Sequence, residues 1–283
     1  MKKERGNLFV VGTPIGNLGD ITYRAVETLN SVDTILAEDT RNTLKLLTHF
    51  NIKKSLISYE KHTEQKKISQ VVKLLDEGKD IALVSDAGMP IISDPGQNLV
   101  SYLRDNDYNV IIIPGVTALI TAIVGSGFDS SKFTFEGFLS VSKKQRKKHL
   151  EDIKNEKRTM IFYEAPHKIL YTLKDLLEAL GDRKICICRE LTKIYEEYKI
   201  TTIKQAIEYI DENGIKGEIV LIVEGKNKET IEEDLQKKLL SIPNATLVKE
   251  YINSGMDKKD AIKAVAKEKG IPKNEVYKDC LDL

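Results

Sequence analysis

The stretch Asp80-Ile81-Ala82-Leu83-Val84-Ser85-Asp86-Ala87-Gly88-Met89-Pro90 sets the pattern for the chain. Four consecutive apolar residues, two of them β-branched, read as a strand covered on both faces, and an acid with turn formers then breaks it. The same unit recurs on either side. Upstream, Val11 runs into Gly12-Thr13-Pro14-Ile15-Gly16, and the strand at Ile35 ends in Ala37-Glu38-Asp39-Thr40-Arg41. Downstream come Pro114-Gly115-Val116-Thr117-Ala118, Glu164-Ala165-Pro166-His167 after Tyr163, and Arg189-Glu190-Leu191-Thr192-Lys193 after Cys188.

Strands are predicted over 7–12, 34–37, 56–59, 80–85, 109–114, 133–138, 159–164, 184–189, 197–200 and 218–223. Helical periodicity falls between them, at 22–30, 64–76, 96–105, 166–179 and 204–212. This alternation is that of an α/β protein with largely parallel sheets. The later strands are closer together and more alternating, so a mixed sheet is expected in the second half. Turn formers crowd 125–131, and beyond Glu224-Gly225-Lys226 the character becomes helical alone. We therefore expect two α/β domains, 1–125 and 126–226, and a small helical domain, 227–283. In the last, Asp257 is placed to cap a helix carrying Ala261, Ile262, Val265 and Ala266, and Gly270 with Pro272 to stop it.

Composition sets limits. Hydrophobic residues at 41% and charged residues at 31% are an ordinary globular balance, and a net charge of +1 excludes a polycation. The start, Met1-Lys2-Lys3-Glu4-Arg5-Gly6, leads into an apolar stretch too short for a signal-peptide core, so it reads as the first strand of a soluble cytoplasmic protein. Cys186 and Cys188 share one face of a strand and Cys280 lies far off, which suits buried small hydrophobes. His49, His62, His149 and His167 lack ligand spacing, and no metal is expected. Charge is uneven, however. Residues 142–158 hold Lys143, Lys144, Arg146, Lys147, Lys148, Lys154, Lys157 and Arg158 against Glu151, Asp152 and Glu156. That run is either a solvated helix face or a phosphate footprint.

Acid-plus-glycine turns after strand upon strand point to a ligand cleft at strand carboxyl ends. Glycines at 12, 16 and 19 do not make a nicotinamide fingerprint, and neither a P-loop nor a nucleophile elbow occurs. A zwitterionic ligand with an adenosine end suits such loops.

Taken together, the six turn motifs resemble the ribosomal-RNA-methylating branch of the tetrapyrrole methylase superfamily. The likeness covers the α/β part nearly end to end, and Ser254-Gly255-Met256-Asp257-Lys258-Lys259-Asp260-Ala261 is similar to the small C-terminal domain of many members. Met89 departs from a usual threonine and Lys168 from a common arginine. The resemblance implies transfer of a methyl group from S-adenosylmethionine to the ribose 2′-hydroxyl of a cytidine in 16S rRNA, by a homodimer, with the cofactor between the two α/β domains. Its implied cofactor contacts are Asp86, Gly88, Ile91, Gly115, Val116, Thr117 and Ala118, with Phe162, Ala165 and Pro166 from the second domain and the Gly12, Pro14, Gly16 loop facing the same cleft. Glu38, Asp39, Glu164, His167, Glu190 and Lys193 are candidates for the base, a lysine qualifying if burial lowers its pKa. By chemistry alone each is equally a helix cap or an ion-pair partner. Arg41, Arg189 and the run Lys143, Lys144, Arg146, Lys147 and Lys148 are candidate phosphate contacts. Phe135 and Phe138 have the chemistry to stack a base, although alternating aromatics in a strand also suit a core. Two rivals stay open at this point: a superfamily enzyme acting on a tetrapyrrole precursor or a protein side chain, and a non-catalytic RNA-binding assembly protein.

Overall fold

The computed structural model describes residues 5–60, 64–226 and 239–281; His62 and the first residues of the expected helical domain lie outside them. Two compact units appear, Met1–Glu224 and Gly225–Leu283.

The first unit holds two five-stranded sheets. Strands β1 (Leu8–Val11), β2 (Thr34–Ala37), β3 (Ser55–Ser58), β4 (Ile81–Val84) and β5 (Val110–Ile113) form one sheet in the order β3-β2-β4-β1-β5, parallel throughout. Helices α1 (Tyr23–Ser31), α2 (Thr40–His49), α3 (Glu64–Asp76) and α4 (Gln97–Asp105) connect them. The sheet is covered on both faces. Leu8, Val10 and Leu83 pack with Leu75 of α3 and Leu99 of α4, and on the other side Val11, Ile35 and Val84 pack with Leu29 of α1 and Leu47 of α2. Continuous apolar runs, rather than alternation, are what such doubly covered strands require.

The second sheet, order β6-β7-β10-β8-β9, comprises β6 (Phe133–Gly137), β7 (Thr159–Glu164), β8 (Lys184–Arg189), β9 (Glu197–Thr202) and β10 (Ile219–Val223). Only β6 and β7 run parallel; the other pairs are antiparallel, making the sheet mixed. Helices α6 (Lys143–Asp152), α7 (Ile169–Leu180) and α8 (Ile203–Asn213) cover one face through Leu150, Leu173 and Ala206. The other face is covered by α5 (Ala118–Ser126), which follows the last strand of the first sheet yet packs Leu119, Ala122 and Ile123 on Ile161, Cys186, Cys188 and Val220 of the second. This crossing ties the two sheets together. The two strand cysteines are buried and unoxidised, 3.7 Å between sulfurs.

In the second unit, helices α9 (Asn244–Asn253), α10 (Lys258–Lys269) and α11 (Lys273–Lys278) enclose Val248, Ile262, Val265 and Val276. The Asp257 carboxylate accepts the Lys259 and Asp260 amides, and Gly270 ends α10 in a left-handed conformation. Among the described residues no helix is long and apolar enough to cross a membrane.

Candidate active site

Within the first unit a cavity of about 420 Å³ opens where strand ends of both sheets meet. Glu38 follows β2, and Asp86, Gly88, Met89, Ser93 and Asp94 belong to the loop after β4. Thr117 and Ala118 open α5. From the second sheet come Phe138 beyond β6, Tyr163 and Glu164 at the end of β7 with Ala165 and Pro166, Leu191 after β8, and Glu218 to Val220 at the start of β10. Of the residues expected at the cofactor, Asp86, Gly88, Thr117, Ala118, Ala165 and Pro166 line this space. Gly12, Pro14, Gly16, Ile91, Gly115, Val116 and Phe162 do not.

For Phe162 the reason is the two-residue period of a strand. Its side chain is fully buried with Leu173 and Leu221 under the helical layer, and its neighbour Tyr163 forms the cavity wall instead. Phe162 therefore offers no ring to a ligand, which corrects its expected role. Ile91 and Val116 pack into cores beside the cavity.

Gly12 and Gly115 serve each other. A Cβ on Gly12 would stand 2.8 Å from the Gly115 backbone and 2.7 Å from the Met89 sulfur, and one on Gly115 would stand 3.0 Å from Gly12. The two strand-end turns meet backbone to backbone, while Thr13 and Gly88 exchange amide hydrogen bonds of 2.9 and 3.1 Å. Gly12→Ala should therefore destabilise the fold by about 1–3 kcal/mol, the usual range for overpacking. On about 2–4 °C per kcal/mol for a unit of this size, thermal unfolding would show a loss of roughly 2–12 °C. An unchanged Tm with weakened ligand binding would show Gly12 to be a ligand contact only.

The two loops flanking the cavity hold uncommon backbone. Ile91, Ser93, Glu190 and Thr192 take φ of 81°, 73°, 51° and 66°, four of the six such non-glycine residues among those described. Strain of this kind collects at ligand sites, where the surroundings must enforce it. Glu64 is one enforcer. Its buried carboxylate accepts the amides of Gly96, Asn98 and Leu99 at 3.1, 3.0 and 3.3 Å, clamping the start of α4 and the end of the Asp86–Asp94 loop. Its partners lie more than thirty positions away in sequence, beyond the reach of local patterning.

The six base candidates separate by surroundings. The Asp39 carboxylate is held at a pKa of about 2 by the Arg41 side chain and amide, and it caps α2. Glu190 accepts the Glu218 amide at 2.8 Å and the Lys193 ammonium at 3.0 Å, and is held below the usual carboxylate range. Burial alone would lower the Lys193 pKa, but the Glu218 and Glu190 carboxylates outweigh it and hold the group above the ordinary lysine value. Lys193 is thus a paired cation, not the neutral amine that base chemistry needs. Its stem packs on Gly16, and Thr192 accepts the Asn17 amide at 3.1 Å, closing the two loops together. His167 is exposed and outside the cavity lining. Glu164, 5% exposed, accepts the Ala165 amide and the Thr172 hydroxyl. Glu38 differs from all of these. Burial raises its carboxyl above the ordinary range, the adjacent Asp86 and Asp39 carboxylates add to the rise, and its own bond, from the Asp86 amide, is 3.5 Å long.

The candidate phosphate contacts divide as well. Lys143, Lys144, Lys147 and Lys148 are exposed on one side of α6. Arg146 points inward, 6% exposed, bonded to Asp175 and to the Thr172 hydroxyl. It is a buried structural cation, and its expected place in the footprint is corrected. Arg41 is exposed though paired with Asp39, and Arg189 is paired with Glu197 at 3.0 Å. Among the described residues no cluster of His, Cys, Asp or Glu is arranged for a metal ion.

A profile of the family described as Tetrapyrrole (Corrin/Porphyrin) Methylases matches residues 7–207. A protein of Halalkalibacterium halodurans named Ribosomal RNA small subunit methyltransferase I is 47% identical over 98% of this chain and 95% of its own length, and a Bacillus subtilis protein of the same name is 45% identical over 98% and 94%. The chain belongs to the tetrapyrrole methylase family, in its ribosomal RNA small subunit methyltransferase I branch. Solved structures of distant tetrapyrrole methylases share the fold. Uroporphyrin-III-C-methyltransferase from Thermus thermophilus superposes with a TM-score of 0.57 at 16% identity, over 78% of this chain and 94% of that one. Cobalt precorrin-4 methyltransferase gives 0.59 at 16%, over 77% and 94%.

As a tetrapyrrole methylase the chain is an S-adenosylmethionine-dependent methyltransferase, and its cavity suits that cofactor. Among the described residues the Thr117 hydroxyl, buried at the N-terminus of α5, has no hydrogen-bond partner, and backbone amides and the helix dipole there favour a carboxylate. Asp86 suits the cofactor's amine or ribose hydroxyls. Ile15, Met89, Ala118, Ala165 and Pro166 provide apolar wall for the adenine and thioether parts.

Proposed function

We propose that this methylase transfers the methyl group of S-adenosylmethionine to the ribose 2′-hydroxyl of a cytidine in 16S rRNA of the small ribosomal subunit, acting in the cytoplasm as a homodimer. The observation that carries the RNA half is the exposed face of Lys143, Lys144, Lys147 and Lys148, which begins five residues after the cavity-lining Phe138. A cationic helix face so soon after a cavity-lining residue in the chain suits the repeated charges of a phosphodiester chain. The near-full-length likeness to relatives named for small-subunit rRNA supports it. The dimer is supported by apolar side chains left open on α5 and the neighbouring edge strand: Ile120, Val124 and Ile112. Sedimentation velocity checks it.

Bound in the cavity, S-adenosylmethionine supplies an electrophilic methyl group on a sulfonium. The chain supplies position and a proton acceptor. Thr117 and the N-terminus of α5 would hold the cofactor's carboxylate. The lysine face holds the backbone of the RNA, so that the ribose hydroxyl is presented in line, the kind of proximity worth roughly 7–11 kcal/mol in favourable cases. Glu38 accepts the hydroxyl proton, since its raised pKa makes it a stronger base than an ordinary carboxylate, and Glu164 holds the second-sheet wall.

The test is tritium transfer from labelled cofactor to small-subunit RNA, followed by nucleoside analysis. Label in 2′-O-methylcytidine is expected; label on a tetrapyrrole precursor, or none, overturns the reading. Replacing the four exposed lysines by glutamine should flatten the salt dependence of RNA binding, by about 0.7 in log–log slope for each lysine that meets a phosphate of a single strand. Tm and the affinity for S-adenosylhomocysteine should stay unchanged.

A further inference from the structure

Strand β6 does not continue its alternation to the end. Phe135 pairs with Ile161, but the next pair is Gly137 with Phe162, so Glu136 is an extra residue in the ladder. Gly137 sits at φ 63°, a conformation that glycine adopts without penalty and other residues resist. In an unbroken strand Phe138 would face the same side as Thr134 and Glu136. That side lies under α6, where Glu136 meets His149 at 2.8 Å. The bulge turns Phe138 to the opposite side, the one Phe135 occupies. Both rings now meet the Tyr163 ring in T-shaped contacts, with centroids 4.9 Å away for Phe135 and 5.6 Å for Phe138. Leu139, not Phe138, then enters the core under the helices. Bulges beside active sites serve to re-aim a side chain in this way.

The re-aimed ring is prepared as a surface. Tyr163 is fixed, because its hydroxyl oxygen accepts the Leu119 amide at 3.2 Å from the first turn of α5. It holds Phe138 from one side, and 57% of Phe138 remains open although the residue lines the cavity. A large aromatic side chain is left uncovered in the lining of a cavity that Glu38 and Thr117 also line. The lysine face of α6 begins five residues later in the chain. An aromatic platform beside a cationic track is the arrangement that holds unpaired nucleotides, because every base has a stacking face.

We propose that Phe138 is the stacking platform for an unpaired nucleobase of the RNA substrate, so that this enzyme takes its target nucleotide unstacked from its neighbours rather than within a helix. The proposal rests on the rRNA reading above. Gly137 and the bulge are positioning elements, and Tyr163 sets the plane of the ring.

The chain has no tryptophan, so Phe138→Trp places a single fluorophore on the platform. With the full chain loaded with S-adenosylhomocysteine, a short single-stranded RNA containing cytidine should quench its emission saturably, and the same sequence annealed into a duplex should not. Phe138→Ala should raise the KM for RNA by roughly 5- to 150-fold, the range for loss of one stacked base, with S-adenosylhomocysteine affinity unaltered. Phe138→Tyr should recover most of that loss, and Gly137→Val, which resists the bulge, should mimic Phe138→Ala in KM while retaining cofactor binding. Quenching by S-adenosylhomocysteine or adenosine without RNA would assign the ring to the cofactor and overturn the proposal. A Phe138→Ala enzyme with unchanged KM would overturn it too, while salt-dependent RNA binding and methyl transfer left intact would show that the rRNA reading itself stands. Absence of any transfer to RNA in the parent enzyme would remove both.

Discussion

Glu38→Gln should lower kcat by roughly 10²- to 10⁴-fold, the range for loss of a positioned base, with the affinity for S-adenosylhomocysteine close to that of the parent. The amide keeps the shape of the side chain but cannot take a proton. The pH profile carries the sharper sign. The working form of Glu38 is the carboxylate, so kcat falls as pH drops through its pKa. That pKa lies above the ordinary carboxylate value because the side chain is half-buried and faces Asp86 and Asp39. The acid limb of the parent enzyme should therefore sit at higher pH than an unperturbed glutamate would give, and it should vanish in the glutamine variant. Single-turnover kinetics across pH checks both. Glu164→Gln offers the contrast. If Glu164 rather than Glu38 took the proton, its variant would show the larger loss and the missing limb.

The strands were legible because their signals are local. Ile81 to Pro90 announces a buried strand and its stop within ten residues, and β2, β7 and β8 have the bounds that their apolar runs predict. Helix ends with a chemical cap were equally plain, as at Asp257 and Gly270. Convergence of the acid-and-glycine turns could be anticipated from the rule for parallel sheets, and Glu38, Asp86, Thr117 and Glu164 do line one cavity. What the sequence hid depends on a single step of register or on distance along the chain. One extra residue in β6 decides whether Phe138 belongs to a core or to a cavity, and no composition of Phe133 to Phe138 reveals it. Strand period separates Phe162 from Tyr163, but only the paired sheet tells which face is the wall. Counting charges in α6 overlooks that positions 146 and 150 share the inward face while 143, 144, 147 and 148 face out. Lys193 qualifies as a base only if burial lowers its pKa; its two carboxylate partners, Glu190 and Glu218, come from different segments and reverse the sign.

Arg146→Ala should cost about 3–5 kcal/mol of stability, the penalty for removing one partner of a buried ion pair. At about 2–4 °C per kcal/mol for a unit of this size, thermal unfolding should fall by roughly 6–20 °C. The reason is the number of groups that one guanidinium satisfies. Arg146 bonds Asp175, donates to the Thr172 hydroxyl at 2.9 Å and lies over the Tyr171 ring at 4.8 Å. Thr172 in turn donates to Glu164, so the chain of donors runs from α6 through α7 to the cavity wall. Arg146→Lys should recover only part of the loss, because a single ammonium cannot reproduce the planar fork that meets both partners. Adding Asp175→Asn to Arg146→Ala should restore some stability by removing the stranded charge, a coupling that a double-mutant cycle measures directly. The exposed lysines of the same helix predict the opposite split: their replacement weakens RNA binding and leaves unfolding alone. An Arg146→Ala protein with unchanged Tm and reduced RNA affinity would return Arg146 to the phosphate footprint and break the proposed link between α6 and Glu164.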